Sequence, residues 1–186
     1  MAQLLEPLAP RLGAAPALVD ERGSTSWTEF NERVNRLMSA LTRAGLGNGE
    51  TIAILSENRR EYYECMAAAT HLGLRYVPVN WHWVAEEVSY VLENSDAAAL
   101  IAGGRFASLA AETLARPDCP SLKLTLAMRD EPLGDMNPYE AALAENPADE
   151  MPATGLGGPM FYTSGTTGRP KGVVSGSFSG DAKPIE

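Results

Sequence analysis

Apolar positions along the chain fall into two patterns, stretches recurring every three to four residues and short unbroken runs, and their alternation predicts the architecture. Phe30, Val34, Leu37, Met38 and Leu41 recur at helical spacing after Ser26 and Glu29, which read as a capping box, and before Gly45, a stop signal. A helix is predicted over 27–44. Ahead of it, residues 17–20 and 24–26 flank Glu21-Arg22-Gly23 and read as a small hairpin.

Beyond that helix the two patterns take turns. A strand is predicted at 51–55, a helix capped by Asn58 and stopped by Gly73, and a strand at 76–79. Val84, Val88, Val91 and Leu92 mark a helix, 98–102 a strand, 106–115 a helix and 122–128 a strand. Strands separated by helices argue for an α/β fold with a parallel sheet flanked by helices. The units share no sequence with one another, so they do not form a repeat array. From Glu145 to Pro159 the chain turns to proline, glycine and acidic residues and reads as a surface linker. The expected organisation is a lead-in and hairpin over 1–26, βα units over 27–144, a linker over 145–158, and a loop with flanking strands over 159–176.

That loop holds the densest candidate chemistry. Residues 161–174 read Phe-Tyr-Thr-Ser-Gly-Thr-Thr-Gly-Arg-Pro-Lys-Gly-Val-Val. Glycines let backbone N–H groups approach an anion closely, hydroxyls add donors, and Lys171 adds a full positive charge. Pro170 fixes φ just before the lysine, so less entropy is lost on binding. A merely flexible Ser/Thr/Gly loop is the bland alternative. It does not account for Pro170-Lys171-Gly172 set directly before Val173 and Val174. The nucleotide-triphosphatase loop G-x-x-x-x-G-K-[ST] is excluded, because Pro170 precedes Lys171 and Gly172 follows it.

Composition narrows the function classes. The 186 residues, 45% apolar and 21% charged, suit one globular domain or part of one. A net charge of −9 argues against nucleic-acid binding by bulk electrostatics, so phosphate recognition has to be local. No stretch of eighteen apolar residues predicts a membrane span, residues 1–10 lack a basic leader, and a cytoplasmic protein is expected. Two cysteines, Cys65 and Cys119, and two histidines, His71 and His82, are too sparse for a zinc cluster, and the apolar helix setting of Cys65 and the loop setting of Cys119 argue against a Cys-His nucleophilic pair.

Other residues are read as structural. Trp81-His82-Trp83 could form a ligand platform, but packing at a strand end is the expected role. Tyr62 and Tyr63 read as one core-facing and one exposed side chain, Arg59-Arg60-Glu61 as a solvated helix face, and Glu145, Asp149 and Glu150 as solvated acids.

The loop residues make the chain resemble the adenylate-forming enzymes: acyl- and aryl-CoA synthetases, luciferases and the adenylation domains of peptide synthetases. The family signature is similar to Tyr162-Thr163-Ser164-Gly165-Thr166-Thr167-Gly168 followed by Pro170-Lys171-Gly172. The resemblance extends upstream through Ser26-Trp27-Thr28-Glu29-Phe30, Gly45-Leu46-Gly47, 51–58, Val77-Pro78-Val79-Asn80 and 90–95, nearly the whole chain. It implies part of the large N-terminal domain of an acyl-CoA synthetase, which joins a carboxylic acid to ATP and passes the acyl group to coenzyme A.

By the same resemblance, Thr163, Ser164, Thr166 and Thr167 donate hydroxyls, Gly165 and Gly168 give backbone approach, and Lys171 is the catalytic cation on the β- and γ-phosphates. Thr163 would also contact Mg2+. Ser175 and Ser177 stand where many relatives carry a histidine, a departure that bears on the acyl pocket and leaves the phosphate grip untouched.

The family's adenine, ribose and acyl contacts, and its distal catalytic lysine, lie downstream of the signature. The 186 residues are therefore expected to be a front portion that does not complete adenylation alone and that self-associates through an unfinished sheet. The contrasting expectation is a non-catalytic nucleotide-binding or interaction module.

Overall fold

The computed structural model describes residues 10–128, 134–163 and 169–174. Its main elements there are β1 (Pro16–Asp20), β2 (Gly23–Ser26), α1 (Trp27–Arg43), β3 (Thr51–Leu55), α2 (Arg60–His71), β4 (Arg75–Pro78), α3 (Ala85–Asn94), β5 (Ala97–Gly103), α4 (Ala107–Leu114), β6 (Leu124–Met128), β7 (Asn137–Pro138), α5 (Tyr139–Ala144), β8 (Gly158–Thr163) and β9 (Lys171–Val174). The first two strands form their own antiparallel hairpin. The others make one sheet in the order β7-β6-β5-β3-β4-β8-β9, parallel except where β9 returns antiparallel to β8.

Alternation along the strands divides the core into two layers, because successive strand residues point to opposite faces. Ile52 and Ile54 face a cluster with Leu37, Met38 and Leu41 of α1, Cys65 and Ala68 of α2, and Tyr139 of α5. Ala53 and Leu55 face the other way, against Val88, Val91 and Leu92 of α3 and Ala110 of α4. β3 lies between β4 and β5, so the chain reverses its direction of travel across the sheet there. In open parallel sheets ligands bind beyond the carboxyl ends of the strands at such a reversal.

Helix ends follow local chemistry. The Ser26 hydroxyl accepts the Glu29 N–H at 3.2 Å, one half of the predicted capping box. Asn58 does not cap α2. The cap position is Arg59, whose side chain makes no capping bond to the helix backbone. Gly73 ends that helix region at φ +68°, where a Cβ would lie 2.3 Å from the Asn48 Oδ1.

Arg59-Arg60-Glu61 is not a solvated face. The Glu61 carboxylate is 5% exposed and accepts from Arg22 at 2.8 Å and Arg59 at 2.7 Å, while Arg60 clamps Asp20. These bonds fasten the β1–β2 hairpin to the start of α2. Charge runs beside a helix start predict solvation only when nothing packs over them; here the hairpin does. A second ion pair ties three helices within one layer: Arg33 of α1 bonds buried Glu64 of α2 at 2.7 Å, and Tyr139 of α5 donates to the same carboxylate at 2.8 Å. Tyr62 packs against the core and Tyr63 is exposed, as expected.

The segment from Glu145 to Gly157 carries no regular strand or helix, yet it is tied down. Thr154 donates its N–H to the His71 carbonyl and Gly157 to that of Thr70, and Asn146 is buried against Ser39. Glu145, Asp149 and Glu150 are exposed, and Glu150 additionally accepts from the Asn31 amide.

Candidate functional site

At the carboxyl end of β8 the chain leaves at Thr163 and re-enters the sheet at Lys171. Only seven residues separate the two strands, too few for a parallel crossover, so β9 must run back antiparallel. Four register pairs result: Met160 with Val174, Phe161 with Val173, Tyr162 with Gly172 and Thr163 with Lys171. Facing residues of an antiparallel pair share one side of the ribbon. Thr163 and Lys171 therefore emerge together, and both are exposed.

The opposite side of the ribbon is packed. Met160 and Tyr162 lie against the core layer built on α3. Gly172 makes room for them, since a Cβ there would meet the Met160 Cε at 2.3 Å and the Tyr162 ring at 3.1 Å. Its place in the Pro170-Lys171-Gly172 run thus has a packing cause. Tyr162 donates its hydroxyl to Asn94 of α3 at 2.8 Å, and burial pushes its phenol pKa up. Tyr90, one turn earlier, donates to the Pro170 carbonyl at 3.3 Å, and the Arg169 guanidinium lies 4.9 Å from the centre of the Tyr90 ring.

Of the residues singled out in the sequence, the structure places Thr163 and Lys171 opposite each other. Ser164, Gly165, Thr166, Thr167 and Gly168, like Ser175 and Ser177, lie outside the described residues. Sequence reading missed Tyr90 and Asn94 as the helix contacts of this hairpin. Their one-turn spacing on α3 was visible, but their partners are about 70 to 80 residues away.

A cavity of about 440 Å³ lies elsewhere, lined by Asp20, Glu21, Arg22, Glu57, Asn58 and Arg59. Its guanidiniums are already matched to carboxylates, Arg22 and Arg59 to Glu61, so it offers no free cation for a phosphate. Trp81 is 41% exposed and stacks on His82 at 3.6 Å and on Phe106 at 5.7 Å, while Trp83 packs into the core. Cys65 is fully buried and its thiol is pushed up by that burial, which removes it as a nucleophile. Among the described residues, no group of three or more His, Cys, Asp or Glu could hold a metal, and no helix is long and apolar enough to cross a membrane.

Comparison with known proteins places these features in a lineage. Residues 6–177 match the family described as AMP-binding enzyme. The chain is 31% identical over 183 residues to a 3-oxocholest-4-en-26-oate–CoA ligase of Rhodococcus rhodochrous, covering 94% of this chain and 32% of that protein. It is 33% identical over 158 residues to the long-chain-fatty-acid–CoA ligase FadD13 of Mycobacterium tuberculosis, covering 80% and 29%. The solved fatty acyl CoA synthetase of Mycobacterium tuberculosis superposes with a TM-score of 0.79 at 28% identity, over 94% of this chain and 34% of that one. The chain spans about a third of the length of these curated relatives.

Proposed function

Because the chain belongs to the AMP-binding enzyme family, we propose that it supplies the triphosphate grip of an AMP-forming acid–thiol ligase, an acyl-CoA synthetase acting on a carboxylic acid, ATP and coenzyme A. The observation that carries this reading is the pairing of Thr163 with Lys171 at the carboxyl edge of the sheet. A hydroxyl and an ammonium on one face of a ribbon, backed by a packed face, form a cation-and-donor pair held on a rigid support.

In adenylation a carboxylate oxygen attacks the α-phosphorus of ATP, the bond from that phosphorus to the β-phosphate oxygen breaks, and the adenylyl group passes to the acid as pyrophosphate leaves. The chain's part is to hold the departing β- and γ-phosphates: Lys171 neutralises charge that grows as the bond breaks, and the Thr163 hydroxyl donates to a phosphate oxygen. Ser164, Thr166 and Thr167 add hydroxyls and Gly165 and Gly168 add backbone N–H donors by the chemistry of their sequence. Donors fixed in advance cost no reorganisation during the reaction, which makes them more effective than water.

The Thr163 oxygen is a hard ligand of the kind Mg2+ accepts. Among the described residues no group of three or more His, Cys, Asp or Glu is placed to hold the ion, so Thr163 is the one contact proposed for it from this chain. The coarse division into hairpin, βα units, connecting segment and phosphate loop belongs to this proposal, as does a cytoplasmic location without nucleic-acid partners.

Carboxylate-dependent exchange of pyrophosphate into ATP, screened over a panel of acids, tests the reading on a protein of the relatives' length. Acid-dependent exchange is expected there, and none from the 186 residues alone. Exchange that needs no acid, or robust exchange by the 186 residues, would count against it.

A further inference from the structure

The hairpin carries two cations two residues apart, Arg169 and Lys171, and the structure treats them differently. Lys171 stands opposite Thr163. Arg169 turns to the helix side, where its guanidinium rests 4.9 Å from the Tyr90 ring centre. The same ring's hydroxyl donates to the carbonyl of Pro170, the next residue, at 3.3 Å. Arg169 and Pro170 also close one side of a cavity of about 340 Å³ whose other walls are Glu86, Glu87, Tyr90, Glu93 and Asp118. Asp118 is already paired with Arg116 at 2.8 Å, which leaves a guanidinium over a tyrosine face with Glu86, Glu87 and Glu93 lining the same cavity, attracted by the ring quadrupole and by the surrounding negative potential.

We propose that Tyr90 and Arg169 form an anchor that fixes the return of the phosphate loop on α3, so that Arg169 serves as a positioning residue while Lys171 alone of the two is left for the phosphates. The inference rests on the phosphate-grip reading for its consequence, but its geometry is independent of it. The anchor acts just before Lys171 and sets where β9 begins. Tyr162 on Asn94 secures the outgoing strand in the same way, one turn further along α3. Both legs of the loop are thus pinned to one helix. Pinning reduces the freedom lost when the nucleotide binds. The chemistry also explains why an arginine suits position 169, since a planar cation stacks on a ring better than an ammonium does.

The test is a double-mutant cycle with Arg169→Gln and Tyr90→Leu, read by amide exchange of residues 171–174 without nucleotide and by Mg-ATP binding. Arg169 is exposed, so its single variant leaves the core intact. Each single change is expected to speed exchange and weaken binding about two- to five-fold, and the double change by no more than the larger of the two alone. Tyr90→Phe retains the stacking and should recover most of the Tyr90→Leu loss. In a protein of the relatives' length, Arg169→Gln should raise the KM for ATP with little change in kcat. Strict additivity of the two changes in exchange, or a fall in kcat equal to that of Lys171→Ala, would overturn the anchor. Coupling in exchange without any Mg-ATP binding by the parent protein of the relatives' length would instead sink the phosphate reading and leave the anchor standing.

Discussion

Thr163 and Lys171 are register partners across β8 and β9, which puts the first hydroxyl and the only lysine of the signature on one face of an antiparallel ribbon. Their eight-residue separation in sequence becomes adjacency because the connection is too short to do anything but turn back. From this relation follows the first expectation. In a protein of the relatives' length, Lys171→Ala should lower carboxylate-dependent adenylation by about two to three orders of magnitude, the scale of losing one charge-stabilising donor. Steady-state exchange kinetics check it, and unchanged kcat removes the lysine from the chemistry.

A second expectation concerns acid stability. Burial pushes the Glu61 carboxyl up, but bonds from Arg59 and Arg22 outweigh it and hold the pKa at about 2 against an ordinary 4.5. A folded-state pKa below the unfolded one contributes stability that is present above pH 4.5 and lost as pH falls toward 2. Glu61→Gln should be less stable than the parent at pH 7 by on the order of 3 kcal/mol. The gap should close over that acid window. Urea titrations at a series of pH values measure it, and a pH-independent gap would dissociate Glu61 from the ion network.

The connecting segment supplies a third. A Cβ on Gly157 would lie 2.2 Å from the Leu74 carbonyl oxygen and 2.4 Å from that of Ala69, both backbone atoms that cannot swing aside. Gly157→Ala should therefore destabilise the fold by about 1–3 kcal/mol, the cost of overpacking. A thermal midpoint equal to the parent's would show that the segment is loosely attached.

Phe161 of β8 and Val173 of β9 face each other on the exposed side of the hairpin at 54% and 53% exposure, and β9 is an edge of the sheet among the described residues. An apolar edge strand is a template for pairing with another chain. Concentration-dependent light scattering by the 186 residues is expected, and Val173→Lys should reduce it. A clean monomer at high concentration would contradict this.

The order of the elements was legible because each bears its own period: Phe30 to Leu41 for α1, Ile52 to Leu55 for β3, Val88 to Leu92 for α3. Two were not. β7 is two residues long, and α5 spans barely a turn and a half, so its signal reduces to Tyr139 and Leu143, one turn apart and both buried. The family was legible in the signature, because Tyr162 to Gly168 and Pro170-Lys171-Gly172 fall within the stretch that matches the AMP-binding enzyme family. What supports it was not: Tyr90, Asn94 and Glu61 act through partners distant in sequence, and a single chain of letters carries no record of such pairings. The same limit explains the misreading of Arg59-Arg60-Glu61, whose burial depends on a hairpin some 40 residues upstream.

The most direct test of the phosphate grip is an NMR titration following the Thr163 amide and the Lys171 side-chain ammonium. Added Mg-ATP and Mg-pyrophosphate should each shift both signals, and adenosine alone should shift neither. Signals unmoved by either phosphate, or moved by adenosine instead, would contradict the assignment of these two residues to the tail of the nucleotide.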